Sequence, residues 1–391
     1  MVYGCAMDLS KAFDMVEGLA LFKVLENRNV SPVFLRTLLY VYTHQSCNVR
    51  WNGSLSDTLN VSNGVCQGAV SSPILFVIYI DDLFSIFRGS GFGCRLNSKF
   101  YGCFGYADDL LLLSASRSGL QSMINKCSDF MKLRKLKFST SKNPAKSKTK
   151  CIIFSKKARD RVGIVPVKLN GDDLPWVPEL KHLGNVLECS NSMTRDIAVK
   201  RGKFIGKVNS LSQEFHYASP DVFMKMLNIY AVSFHGSSLW DIFSKECDRV
   251  YAAWNVAVRQ AWSLPNRTHR YLIETISGCL HPKVMLASRC FAFSQSLLRS
   301  TKYNVRILAR LCMLDNRTRL GRTVNRISQE CGCEVNELSP GLIKANMKYF
   351  PIPSHEEWRT GLLSELLSCS LDLPGFTEEE TNAMVSFLCI S

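Results

Sequence analysis

Phe104-Gly105-Tyr106-Ala107-Asp108-Asp109-Leu110-Leu111-Leu112-Leu113 is the stretch on which the reading of this chain turns. Small and aromatic residues lead into an acidic doublet and an unbroken apolar run leads out, the pattern of a hairpin from Phe104 to Ser114 with its carboxylates at the tip. Asp is common in turns, so the doublet alone also reads as a solvated bend. Far upstream, the apolar run Tyr3 to Leu9 carries Asp8 to the end of another strand, before Ser10 to Phe13 turn toward a helix. If the two strands are neighbours, three carboxylates meet at one edge of a small sheet, facing a cleft.

Convergent carboxylates on separate strands suit phosphoryl transfer onto a primer hydroxyl. That reaction uses two divalent ions about 3.5–4 Å apart, one activating the attacking oxygen and one stabilising the leaving group. Magnesium asks for oxygen ligands in octahedral array. Asp81-Asp82, preceded by Tyr79-Ile80, is an internal contrast. It lies where an apolar helix runs out, with no second apolar strand pairing back, and reads as a helix-end cap or surface feature.

Outward from these points, Val16 to Arg28 and Pro32 to His44 have apolar residues at helical spacing. Cys47 to Trp51 and Leu55 to Val61 flank Asn52-Gly53, a strong hairpin signal. Gly64 to Ser72 is a glycine- and serine-rich bend before an apolar helix from Pro73 to Phe84, and Leu120 to Lys132 is another helix. A lysine-rich loop from Thr140 to Lys150 precedes a strand from Cys151 to Phe154, and a further hairpin is predicted from Val165 across Asn170-Gly171 to Leu187.

Beyond Ser190 the pattern becomes helical. Ile197, Phe204, Val208, Leu211 and Phe215 mark an apolar face, and Lys200, Arg201, Lys203 and Lys207 a basic one. Aromatic residues cluster at Phe234, Trp240, Trp254 and Trp262, and Glu378 to Glu380 open a short C-terminal helix. The expected fold is α+β: a small antiparallel sheet with packing helices over residues 1–190, an all-α region over 191–310 and a helical appendage over 311–391.

Composition narrows the functional class. Hydrophobic residues at 46% and charged residues at 21% describe a chain that folds. With 48 Lys and Arg against 33 Asp and Glu, the net charge is +15, which suits a polyanionic partner. The sixteen cysteines are scattered without zinc-site spacing, Cys331 and Cys333 reading as two loop cysteines. Together with the lack of a leader pattern or an apolar run of about 18–20 residues, this points to the nucleus or cytoplasm and away from secretion or a membrane.

Three segments in order carry a family resemblance. Ala6-Met7-Asp8-Leu9-Ser10-Lys11-Ala12-Phe13-Asp14, Gly64-Val65-Cys66-Gln67-Gly68-Ala69-Val70-Ser71-Ser72-Pro73 and Gly105-Tyr106-Ala107-Asp108-Asp109 resemble motifs A, B and C of a reverse transcriptase palm, of the non-LTR, LINE-type retrotransposon kind. Asn143 to Phe154 is similar to the lysine-bearing motif D, and Leu180-Lys181-His182-Leu183-Gly184 to the primer-grip motif E. The helical stretch to about residue 310 more loosely resembles a thumb.

The resemblance implies an RNA-directed DNA polymerase that takes an RNA template, a DNA primer and deoxynucleoside triphosphates, with two Mg²⁺ ions or Mn²⁺ in their place. Asp8 and Asp108 would ligate both metals and Asp109 would assist. Phe13 matches the steric gate against a ribose 2′-hydroxyl, a buried core Phe being the other reading. Gln67 and Gly68 match the loop against the incoming nucleotide and template base, with Ser72 opening the supporting helix. Lys148, with Lys146 a close rival, matches the proton donor to pyrophosphate, ordinary phosphate contact being the other reading. Leu183 and Gly184 match the primer grip.

The family places a fingers region before motif A, which here starts seven residues from the N-terminus. The chain is therefore read as a palm and thumb without fingers or endonuclease. The alternatives are a catalytically inactive nucleic-acid-binding remnant and a relic with no cellular role.

Overall fold

Residues Val2–Ser10 form the central strand β1, whose buried Tyr3, Cys5, Met7 and Leu9 leave little room for solvent. In this computed structural model, which describes residues 1–61, 63–140, 147–268, 270, 273 and 280–347, the chain divides into two units, 1–192 and 193–391. In the first, β1 is joined by β2 (Cys103–Tyr106), β3 (Asp109–Ser114), β4 (Lys137–Phe138) and β5 (Lys150–Phe154). β3 runs antiparallel along one edge of β1, from Tyr3↔Ser114 to Asp8↔Asp109, and β2 closes against β3. The other edge is shared: β5 pairs with Val2 to Ala6, and β4 with Leu9 and Ser10, both antiparallel. A strand apolar on both faces can occupy this central place.

Helices α1 (Gly18–Asn27), α2 (Pro32–Thr43), α3 (Ser72–Ile80), α4 (Asp82–Gly89) and α5 (Arg117–Leu133) complete the unit. Phe76, Tyr79, Leu83 and Phe87 share one buried cluster with Leu110, Leu112, Leu120 and Ile124. Ser116 caps α5 by accepting a hydrogen bond from the Gly119 N–H. The helix expected from Pro73 is two, meeting at Asp81, the doublet at which the apolar run was read to end. Arg28 donates to Asp81 at 3.0 Å and to Asp82 at 3.1 Å, and Arg134 to Asp82 at 2.9 Å. The pair is a surface feature, as expected.

The Asn52-Gly53 turn forms, both residues taking positive φ, but its strands are only two residues each. The long hairpin expected from Val165 to Leu187 is instead two. β6 (Val167–Leu169) pairs with β7 (Asp172–Leu174), and β8 (Glu179–His182) with β9 (Asn185–Glu188). Pro175 and Pro178 lie between them and have no N–H for a ladder.

The second unit is built from α6 (Thr194–Glu214), α7 (Pro220–Met226), α8 (Lys245–Ala261), α9 (Pro282–Leu298), α10 (Tyr303–Leu314), α11 (Arg319–Cys331) and α12 (Pro340–Asn346). Its core unites Phe204, Phe234, Trp240, Tyr251 and Trp254, with Trp262 half-buried against it. Val324, Ile327 and Ile343 belong to the same core. The division expected at 310/311 thus falls inside α10, and α11 and α12 pack as part of this unit. Glu378 to Glu380 lie outside the described residues. Lys200 is not on the solvent-facing stripe: it is buried, four residues after Asp196 and four before Phe204, and so on the apolar face of α6.

Candidate polymerase-type active site

The β1–β3 ladder ends at the site. Asp8 and Asp109 are direct cross-strand partners, so their Cβ atoms lie about 4.5–5.5 Å apart. Ala107 and Asp108 form the two-residue turn between β2 and β3, and Ala107 takes φ +52 there. Gly105, just before, has no space for a side chain: a Cβ would stand 2.5 Å from the Phe84 ring. The hairpin is thereby pressed onto α4 with its acidic tip at the sheet edge.

On the other side of β1, the β5 pairing runs Cys5↔Cys151 and Ala6↔Lys150. The same count continued by two residues sets Asp8 against Lys148. The side chains agree: the Asp8 N–H donates to Thr149 Oγ1 at 3.2 Å, and Lys148 Nζ stands 3.8 Å from Asp8 Oδ2. Ser139 N–H donates to the Asp8 carbonyl at 2.8 Å. Lys146 lies outside the described residues.

Asp8 Oδ2 is buried and accepts no hydrogen bond. Burial raises the Asp8 carboxyl above its ordinary value, Lys148 draws it back, Asp109 and Asp108 push it up, and the Ser139 hydroxyl lowers it. An under-satisfied buried carboxylate among like charges is disfavoured as it stands and favoured by a cation. Among the described residues no three or more His, Cys, Asp or Glu side chains are grouped so as to hold a metal ion. The donor chemistry nevertheless suits hard cations, with carboxylate oxygens, one of which accepts no hydrogen bond.

The motif B loop is tied to motif A. Gly64 N–H donates to the Val16 carbonyl and Val65 N–H to the Phe13 carbonyl. A Cβ on Gly64, at φ +96, would stand 3.0 Å from the Asp14 Cα. Phe13 is half-buried and stacks on Phe76, centroids 5.1 Å apart. Gln67 is exposed, and its Nε2 donates to Asp14 Oδ1 at 2.8 Å, which leaves its carbonyl oxygen to face outward. Gly68, at φ +90, is exposed with open space around it. Ser72 is buried at the start of α3 and donates to the Cys66 carbonyl at 2.6 Å.

Leu183 and Gly184 form the turn of the β8–β9 hairpin, both at positive φ. A bulky residue held in that region is uncommon outside functional or strained sites. His182 precedes them; burial lowers its imidazole's affinity for a proton, and the Asp109 charge acts in the opposite sense. The structure therefore joins Asp8, Asp108, Asp109 and Lys148 in one cluster, with His182 in electrostatic reach. Phe13, Gln67, Gly68 and Ser72 form a second group on the motif A and B loops.

Sequence reasoning assigned no role to Thr149, Ser139 or Asp14. The first two follow from counting the ladder outward from Asp8. Asp14 lay within the motif A segment but needed the folded loop to meet Gln67.

Acidic residues on a central strand and at the tip of its neighbouring hairpin, on an antiparallel sheet backed by helices, define a polymerase-type palm. Residues 2–185 match the family described as reverse transcriptase (RNA-dependent DNA polymerase). Among curated proteins, a Pol polyprotein of the retrotransposable element R2DM of Drosophila melanogaster is 29% identical over 140 residues, 36% of this chain and 13% of that protein. An R2 element polyprotein of Nasonia vitripennis is 26% identical over 126 residues, 32% of this chain and 12% of that one. Over nearly all of its first unit this chain is therefore similar to reverse transcriptase domains, and these curated relatives are polyproteins of R2 retrotransposable elements. The match to each of these relatives spans about an eighth of its length. Telomerase from Candida tropicalis in complex with a telomeric RNA fragment aligns over 79% of this chain and 49% of its own, at 11% identity and TM-score 0.37, too loose a likeness to argue from.

Proposed function

We propose that the chain is the palm and adjoining helical region of an RNA-directed DNA polymerase, which extends a DNA primer on an RNA template from deoxynucleoside triphosphates. The observation that supports this most is the register pairing of Asp8 with Asp109 beside Asp8 Oδ2, which accepts no hydrogen bond. Asp8 and Asp108 hold two Mg²⁺ ions, or Mn²⁺, with Asp109 as a weaker ligand or orienting carboxylate. The chemistry those ions supply is activation of the primer 3′-hydroxyl and stabilisation of the departing pyrophosphate.

The remaining roles belong to side chains. Phe13, held flat by Phe76, lies under the sugar and rejects a 2′-hydroxyl. Gln67, oriented by Asp14, offers its carbonyl oxygen to the nucleotide side, and Gly68 lets backbone approach it closely. Ser72 anchors that loop. Lys148, with its side chain 71% exposed, is free to leave Asp8 and give a proton to the pyrophosphate. Leu183 and Gly184 place the primer end. The basic residues Arg201, Lys203 and Lys207 of α6 supply sequence-independent phosphate contact.

The thirteen described cysteines are free thiols, which supports a reducing compartment, nucleus or cytoplasm. None of the described helices is long and apolar enough to cross a membrane.

The test is primer extension on a homopolymer RNA template with Mg²⁺, with a fingers segment supplied in trans. Incorporation that disappears in Asp108→Ala is expected. Absence of incorporation under those conditions, or an unimpaired Asp108→Ala variant, overturns the proposal; salt-sensitive RNA binding without incorporation would instead identify a non-catalytic binding protein.

A further inference from the structure

At the end of α6, Asn209, Ser212 and Gln213 recur at helical spacing and face a cavity of about 560 Å³ within the second unit. Gln260, from the end of α8, lines it, and Phe223 of α7 gives it an apolar surface. The volume lies in the range of about 300–1,000 Å³ typical of small-molecule sites. The polymerase reading gives this cavity no role.

Its chemistry is selective. Among the described residues that line it there is no Asp, Glu, Lys or Arg, so neither a bare anion nor a bare cation finds a counter-charge. Three primary amides line it, each with two donors and an acceptor. Ser212 Oγ is buried and has no hydrogen-bond partner, a state that costs free energy until something supplies one. A purely apolar ligand would strand these groups. A planar heterocycle with donors and acceptors on its edge satisfies the amides while its face lies on Phe223. Beside the cavity, Tyr217 is 93% exposed, its ring 3.8 Å from that of His216, which lines the wall. Exposed aromatic rings are stacking platforms for bases.

We propose that this cavity binds an unpaired nucleobase, carried by a single strand or by a free nucleotide. The amides read its edge, Phe223 covers one face, and Tyr217 stacks a neighbouring base when a strand is the source. Because no charged group lines the site, the phosphates stay in solvent, and only the chain's net charge of +15 draws them near.

The full-length chain is titrated with a fluorescent single-stranded RNA of mixed sequence, an abasic strand of equal length, and the four nucleoside monophosphates as competitors. Gln213 and Gln260 are exposed, so the double variant Gln213→Leu/Gln260→Leu should fold, as a thermal melt will show. It should bind the strand about 5- to 150-fold more weakly, with Tyr217→Ala showing a loss of similar order, as base stacking contributes about 1–3 kcal/mol. The slope of log affinity against log salt should not move, since no phosphate contact is removed. Should the leucine variant melt early, Gln213→Met/Gln260→Met keeps the volume without adding charge and should lose binding equally.

Wild-type affinity in the folded double variant, or an equal loss on the abasic strand, overturns the proposal. Displacement of the strand by monophosphates at matched base concentration assigns the site to free nucleotides, and displacement only by a second strand assigns it to a strand. None of these readouts requires polymerase activity.

Discussion

The first unit half-buries one aspartate and the second buries another completely, and they treat them differently. Asp196, near the start of α6, is wholly buried, with Lys200 Nζ and Trp240 Nε1 each donating to it at 2.8 Å. Asp8, at the end of β1, keeps one buried oxygen without a hydrogen bond and has two carboxylates as neighbours and a lysine 3.8 Å away. A completed network belongs to structure, because every charge is compensated in place. An incomplete one is a cost to the fold, retained where something else is to bind.

The sharpest way to break this comparison is to remove the carboxylates. Asp8→Asn or Asp108→Ala should cut nucleotide incorporation at least about a thousandfold, since lost metal ligation removes several kcal/mol of transition-state stabilisation. Single-turnover extension measures it, and an activity within tenfold of wild type would place the chemistry elsewhere. Asp196→Ala should do the opposite: it destabilises the second unit by about 3–5 kcal/mol, the cost of breaking a buried ion pair from one side. Urea denaturation reads that loss, and the paired replacement Asp196→Leu/Lys200→Met should recover most of it.

A smaller effect is expected at the loop joining motifs A and B. Gly64→Ala forces a Cβ onto the Asp14 backbone at positive φ, and should cost more than about 1 kcal/mol. It should raise the KM for nucleotide if Asp14 loses its hold on Gln67.

The smallest expected change is a pH dependence at Asp8. The folded Asp8 pKa lies above its unfolded value, so the stability associated with it is complete below the ordinary value of 3.8 and falls as pH rises through the folded value. Asp8→Asn, which cannot ionise, should therefore melt higher than wild type at neutral pH, and the gain should vanish below about pH 3.8. Mg²⁺ should raise the melting temperature of wild type more than that of Asp8→Asn, because only the former offers the full ligand set. A wild-type Tm indifferent to Mg²⁺ would count against the site.

Much of the first unit was legible in sequence because its signals are local. The Phe104–Ser114 hairpin, the Asn52-Gly53 turn and the helices at Gly18, Pro32 and Arg117 depend on periodicity and turn chemistry within a few residues. The end of the apolar helix at Asp81-Asp82 was legible too, whereas the split of the Val165–Leu187 hairpin was missed although Pro175 and Pro178 lie in it, because the Pro175 carbonyl finds its partner only in the folded Cys151 strand. Lys200 was misread because a charge on an apolar stripe looks solvated until its buried partner is found. At the site the carboxylates were legible by type and order, whereas Thr149, Ser139 and Asp14 became visible only when strands and loops lay side by side.

The shared count of β1 and β5 has one further consequence. Since backbone rungs set where Asp8 meets Lys148, an added residue between Lys148 and Cys151 is not tolerated. Slipping the strand by one position turns the lysine to the opposite side of the sheet. The constraint on this strand is therefore written in parity rather than in the identity of any side chain.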